Sequence, residues 1–173
     1  MKLSGIKNFT ISIILPLLIN ACSTQNEKAP EARAIEMTLT AGKNSNPDRD
    51  GRAAPVEVFI YALTEQDNFN GSDYFTLLAG NNPALVTEIK MRKQVILKPQ
   101  GEKKLNFTVE GEVNSLAVVA AYRDINEAQW SALYSLPKQQ SNAWYQIFAS
   151  DSKAPLKIAV AVEQLSVSIK EVN

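Results

Sequence analysis

Histidine is absent from this 173-residue chain, and cysteine occurs once, at Cys22. Without imidazole there is no Ser-His-Asp or Cys-His activation of a nucleophile and no His-ligated zinc; carboxylates, Lys and Tyr are the remaining acid-base groups. A catalytic set is therefore not expected, and neither is a cofactor or a metal. A single thiol leaves no internal disulfide. An excess of one charge is missing too, since 18 Lys and Arg balance 18 Asp and Glu. No net field draws in a phosphate backbone, so nucleic acid is not an expected partner. The apolar run Ile11 to Ile19 has nine residues, fewer than the roughly 20 that a bilayer-spanning helix needs. What is present, 45% hydrophobic and 21% charged residues, is the composition of a globular protein of one ordinary domain plus a tail.

Residues 1–21 read as a secretory signal peptide. Lys2 and Lys7 make a positive start, Ile11 to Ile19 a short apolar core interrupted by Pro16, and Ile19-Asn20-Ala21-Cys22 its end. An aliphatic residue three before Cys22 and a small one directly before it are similar to a bacterial lipoprotein signal, in which the cysteine is acylated and becomes the new N-terminus. Several acyl chains on Cys22 would hold outer-membrane lipid almost permanently, whereas one chain holds weakly. Ser23, a non-Asp residue after the cysteine, resembles the sorting signal for the outer membrane. Loss of residues 1–21 removes two lysines and leaves 16 basic against 18 acidic residues. Residues 22–33 are polar, carry Pro30 and show no apolar period; they read as a tether whose last eleven residues reach about 35–40 Å when extended.

Residues 34–173 read as the folded domain. Ile35, Met37, Leu39 and Ala41 alternate with polar residues, as in a half-buried strand, while Pro55 to Leu63 is apolar on both faces and suits a central strand. Between them lies the polar loop Gly42 to Ala54, too long for a tight hairpin. Ser72 or Asp73 caps a short helix with Tyr74, Leu77 and Leu78 on one side and Gly80 as its stop. Strands follow at Arg92 to Lys98, Lys104 to Val109 and Leu116 onward, a short helix at Asn126 to Leu133, and a strand at Ala143 to Ala149. Apolar positions are even at Ile158, Val160 and Val162 but odd at Leu165, Val167 and Ile169, so a bulge or tight turn falls near Glu163-Gln164. The pattern is that of an all-β, antiparallel β-sandwich of about seven or eight strands with one or two short helical insertions.

Several separated motifs together resemble the type VI secretion outer-membrane lipoprotein, the TssJ family. They are the Cys22 lipobox; Gly51-Arg52 and Pro55-Val56 leading into Ile60-Tyr61-Ala62-Leu63; Phe69 with Ser72 to Phe75 and Leu77-Leu78; the turn Leu97 to Gly101; and Leu116 to Asp124 followed by Trp130. The resemblance implies a transthyretin-like sandwich facing the periplasm, lipid-anchored to the outer membrane. It implies a tethering role toward the periplasmic C-terminal domain of the inner-membrane protein TssM. In that family the loop after the first strand contacts TssM; carried over, it is Gly42, Lys43, Asn44, Ser45, Asn46, Pro47, Asp48, Arg49, Asp50, Gly51 and Arg52. Its polar side chains suit an interface rim, and on this reading residues 43–50 can be removed without loss of the fold. A polar loop made only for solubility is the plainer account.

Other constellations compete with plain readings. Asn46, Asp48, Asp50 and Gly51 with Glu57 at the twelfth position nearly spell a calcium loop, but a strand precedes and another follows where helices are required. Glu110 and Glu112 at a turn read as solvation. Trp130, Trp144 and Tyr145 read as core or sheet-end filling rather than a ligand platform. Lys90, Arg92, Lys93, Lys98, Lys103 and Lys104 read as charges protecting an edge strand, or as a contact for anionic lipid or an acidic partner. The alternative function is a periplasmic lipoprotein that carries a small hydrophobic or glycan ligand between its sheets.

Overall fold

The computed structural model describes residues 31–138 and 154–172. Among them are eight strands in two four-stranded sheets. The first sheet holds β1 (Arg33–Ala41), β4 (Glu102–Val109), β7 (Leu156–Val162) and β8 (Val167–Glu171) in the order β4-β1-β7-β8. The second holds β2 (Val56–Leu63), β3 (Ile89–Leu97), β5 (Ser115–Ala120) and β6 (Ser131–Ser135) in the order β3-β2-β5-β6. The all-β sandwich read from the strand pattern is the fold observed. One pairing departs from the antiparallel expectation: β1 runs parallel to β7, from Ile35 opposite Leu156 to Ala41 opposite Val162.

The two inner faces make one core. Met37, Leu39, Val58, Ile60, Leu116, Val118, Ile158 and Val160 are fully buried and belong to a single cluster. Each such side chain contributes about 1.5–3 kcal/mol on burial. The second sheet also buries its outer face. Phe59, Tyr61, Leu63, Ala117 and Val119 lie under Phe69, Leu77 and Leu85, which come from three short helices. These are α1 (Asp67–Asn70), α2 (Tyr74–Ala79) and α3 (Pro83–Glu88). β2 is therefore apolar on both faces because core lies on one side of it and a helical layer on the other.

Local chemistry sets the helix ends. The Asp73 carboxylate accepts from Thr76 N at 3.0 Å and from the Thr76 hydroxyl at 2.8 Å, and Gly80 ends α2 in the left-handed region at φ 62°. Asn82 caps α3, with Pro83 at its first position. The Glu88 carboxylate, at the end of α3, accepts from Asn68 N, Asn68 Nδ2 and Phe69 N and so holds the start of α1.

The helix expected at Asn126 to Leu133 is not formed. Its second half enters β6, where Ser131 to Ser135 pair with β5, and that tertiary pairing overrides a helix-favouring composition. The parity change near Glu163-Gln164 is a tight turn, closed by Glu163 N donating to Ser166 O at 2.8 Å. The expected strand at Ala143 to Ala149, with Trp144 and Tyr145, lies outside the described residues.

The sandwich has two poles. Arg33, Val109 and Leu156 meet at one, and Ala41, Glu102 and Val162 at the other. The nine residues of β1 separate them by about 27 Å. One side of the sandwich is closed where Gln129 bridges to Ser166, with Gln129 N donating to Leu165 O and Val167 N to Gln129 O. On the other side the edge strands β3 and β4 carry Lys90, Arg92, Lys93, Lys103 and Lys104, the placement expected of charges that discourage edge pairing.

Candidate partner-binding loop

The loop between β1 and β2 projects from the pole where β1 ends. Its base is fastened to neighbouring turns: Gly42 N donates to Val162 O at 2.8 Å, Asn46 N to Gln164 O at 3.0 Å and Ala54 N to Ser45 O at 3.1 Å. Asn46 is the central fastener. Only 3% exposed, it sits at φ 49°, a region that Asn tolerates better than most residues. Its Nδ2 donates to Pro55 O at 2.7 Å, and its Oδ1 accepts from Arg123 N at 2.8 Å.

The tip is a second structured unit. Asp48 Oδ1 accepts from Asp50 N and Arg52 N, each at 2.9 Å, and its Oδ2 accepts from Arg52 Nε at 2.9 Å. Arg52 Nη2 also reaches Asp50 Oδ2 at 2.8 Å. Gly51, at φ 78°, supplies the left-handed residue that closes this turn. The Arg52 backbone N–H, helped by its guanidinium and by Asp50 N–H, holds the Asp48 carboxyl below its ordinary range. Arg52 is 74% exposed, so these ion pairs shape the tip more than they stabilise the fold.

Eleven residues, Gly42 to Arg52, are expected in contact with the partner, and the structure divides them. Lys43, Asn44, Arg49, Asp50, Gly51 and Arg52 are exposed; Gly42, Pro47 and Asp48 are half-buried. Ser45 and Asn46 are buried and face inward, so removing 43–50 would take out buried residues of the loop base as well as exposed ones. Those residues include the side chain that joins the loop to Pro55 and Arg123.

Nor do the calcium-like positions act as one group. The Asn46 amide serves Pro55 and Arg123, Asp48 serves Arg52, and Glu57 on β2 accepts from Gln94 Nε2. Among the described residues no three His, Cys, Asp or Glu side chains are grouped to hold a metal ion. Glu112 pairs with Lys90 at 2.9 Å, which lowers its carboxyl and raises the Lys90 ammonium.

A cleft of about 730 Å³ separates the tip from the β5–β6 connection and the β7–β8 turn. Pro47, Asp48, Arg49, Asp50 and Arg52 line one side; Arg123, Asp124 and Leu165 line the other. The far wall is firm because the buried Tyr122 hydroxyl donates to Ser166 O and, at 3.2 Å, to Glu163 O. Burial first, and the Glu163 charge second, push the Tyr122 hydroxyl far above its ordinary value, so it stays a donor. This pole thus presents hydrogen-bond donors and carboxylates on a rigid sandwich.

The fold and this pole define a class: a two-sheet sandwich with one helical face that presents a structured polar loop. The family model for the type VI secretion lipoprotein (T6SS-SciN; VasD, EvfM, TssJ) matches residues 33–164, and the chain belongs to that family. It is thus a β-rich type VI secretion lipoprotein. The T6SS lipoprotein TssJ1 from Pseudomonas aeruginosa shares the fold at 24% identity and TM-score 0.69, over 83% of this chain and 98% of that one. The Serratia marcescens Lip, a membrane-bound component of the type VI secretion system, does so at 19% identity and TM-score 0.66, over 82% and 98%. A chain in the structure of the TssM C-terminal domain (869–1107) from EAEC matches at 19% identity and TM-score 0.60, over 80% and 99%. No curated protein matches the sequence significantly. Among the described residues no helix is long and apolar enough to cross a membrane.

Proposed function

We propose that this lipoprotein is acylated at Cys22 and ties the periplasmic C-terminal domain of TssM to the outer membrane. Residues 1–21 are the signal peptide, 22–33 the tether and 34–173 the periplasmic domain. The observation that carries the reading is the opposition of the two poles: β1 begins where the tether arrives, and the loop leaves about 27 Å away. A molecule held to lipid by residues before Arg33 turns Arg49, Asp50 and Arg52 toward the periplasm.

The likeness to a chain in the TssM structure supports the partner. The match uses 80% of 173 residues to cover 99% of that chain, making it about 140 residues long, whereas positions 869–1107 span about 240. Its size fits a TssJ-like subunit beside the TssM fragment better than the fragment itself. The function is attachment, and no catalytic step is assigned. Among the described residues, the facing side chains of the two sheets, Met37, Leu39, Val58 and Ile60 among them, pack into one buried cluster, which favours attachment over a ligand-carrying role.

The test is the double charge reversal Arg49→Glu with Asp50→Lys in the full chain. Both side chains stand in solvent, so thermal melting should be unchanged while calorimetry shows at least about a tenfold weaker Kd for the TssM domain. Binding at wild-type affinity would refute the loop assignment.

A further inference from the structure

Six exposed residues at the loop, five of them polar, make too small an interface. A stable interface buries about 800 Å² on each partner, draws on 20–30 residues and is centred on aromatic or other large side chains. The surface next to the loop supplies such a centre. Phe75, on α2, is 68% exposed, the most exposed of the large hydrophobic side chains among the described residues. Its ring meets Tyr74 edge-on at 5.3 Å, and Tyr74 meets Trp130 edge-on at 5.5 Å. Tyr74 and Trp130 are half-buried and pack against the helical-layer core, so the three rings form a stiff ridge with its last ring in solvent.

The ridge is continuous with the loop pole. Trp130 O accepts from Ala120 N, and the adjacent Gln129 bridges to Ser166. From that turn Gln164 O accepts from Asn46 N, inside the loop itself. Ridge and loop tip thus sit on one hydrogen-bonded frame that can meet one partner without rearrangement. A preformed aromatic anchor loses little side-chain freedom on binding, which favours affinity.

We infer, building on the loop reading above, that the Phe75–Tyr74–Trp130 ridge is the apolar anchor of the TssM interface and that Phe75 inserts into an apolar pocket on TssM. The loop then forms the polar rim beside it.

The test measures binding of the full-length lipoprotein in detergent to the TssM periplasmic domain. Phe75→Ala should weaken Kd at least about tenfold with unchanged melting, since little of the ring is buried. Phe75→Leu should recover most of that loss, and Val86→Ala, removing another exposed side chain on α3, should have no effect. Wild-type affinity in Phe75→Ala while the Arg49/Asp50 reversal weakens binding would overturn the anchor and spare the loop reading. Failure of the wild-type protein to bind TssM would overturn both. An equal loss in Val86→Ala would overturn the anchor by exposing general apolar adhesion. Phe75-dependent self-association without an effect on TssM would overturn it in favour of a second copy of this chain.

Discussion

Asn46 and Arg123, far apart in sequence, are joined by a part-buried hydrogen bond in which Arg123 N donates to Asn46 Oδ1 at 2.8 Å. The other end of the same amide donates to Pro55 O at 2.7 Å. One side chain therefore sets the loop against the end of β5 and the start of β2. Asn46→Ala leaves the Arg123 N–H and the Pro55 carbonyl without their partner; both bonds are part-buried, which sets the cost at the lower end of about 1–3 kcal/mol each. We expect a total loss of about 2–4 kcal/mol in chemical denaturation. Asn46→Gly tolerates the positive φ but has no amide, so it should lose nearly as much. Full stability in the glycine variant would assign the effect to backbone strain instead.

The loop tip should respond to acid. Arg52 N–H, with the Arg52 guanidinium and Asp50 N–H, binds the charged form of Asp48 and holds its pKa below the unfolded value. A depressed carboxylate stabilises the folded form above its unfolded pKa, near 3.9, and that contribution is lost as pH falls through the folded value. The tip is thus expected to keep its shape from pH 7 to about 5 and to loosen only below about 4. An NMR titration following the Arg52 amide should give a midpoint below that of a free aspartate. A midpoint at or above about 3.9 would show that the turn does not bind the carboxylate.

Much of the architecture was legible because it rests on local pattern. The period-two runs of β1 and β7 appear as written, and the parity change between Val162 and Leu165 marks a real turn. Asp73 and Gly80 bound α2 by the capping chemistry that their residue types suggest. What was hidden depends on distant partners. No local signal reveals that β1 lies parallel to β7, or that Ser131 to Ser135 leave a helix-favouring stretch to pair with β5. Asn82-Pro83 did carry a readable start for α3, a capping residue followed by proline. At the candidate site, polarity suggested which segment is the loop but did not distinguish the buried Ser45 and Asn46 from its exposed residues. A buried Asn reads like a solvated one until its partners are known.

The helical layer has its own fastener. Glu88 is 2% exposed, and its carboxylate receives three N–H donors from Asn68 and Phe69. Glu88→Gln keeps the shape but replaces one acceptor oxygen with an N–H₂ group, so a donor then faces a donor. Hydrogen bonds to a charged group contribute about 1.5–3 kcal/mol, and we expect a loss in that range by denaturation. Phe69, which stacks edge-on with Tyr61 at 5.7 Å, should loosen with it. An unchanged denaturation midpoint would mean that packing of Phe69 alone holds α1.

On the proposed reading, anchoring and partner binding reside in separate parts of the chain, because β1 begins at the pole opposite the loop. Cys22→Ser removes the sulfur that would be acylated, at a position outside β1 to β8. The variant should move from the membrane fraction to the soluble periplasmic fraction while binding the TssM domain with wild-type affinity. Secretion should nevertheless fail, since a freely diffusing sandwich occupies TssM without linking it to lipid. Continued fractionation with membranes, in a strain lacking TssM, would count against acylation at Cys22. Loss of TssM affinity in the soluble variant would show instead that the lipid-proximal segment takes part in binding, and the two-pole division would fall.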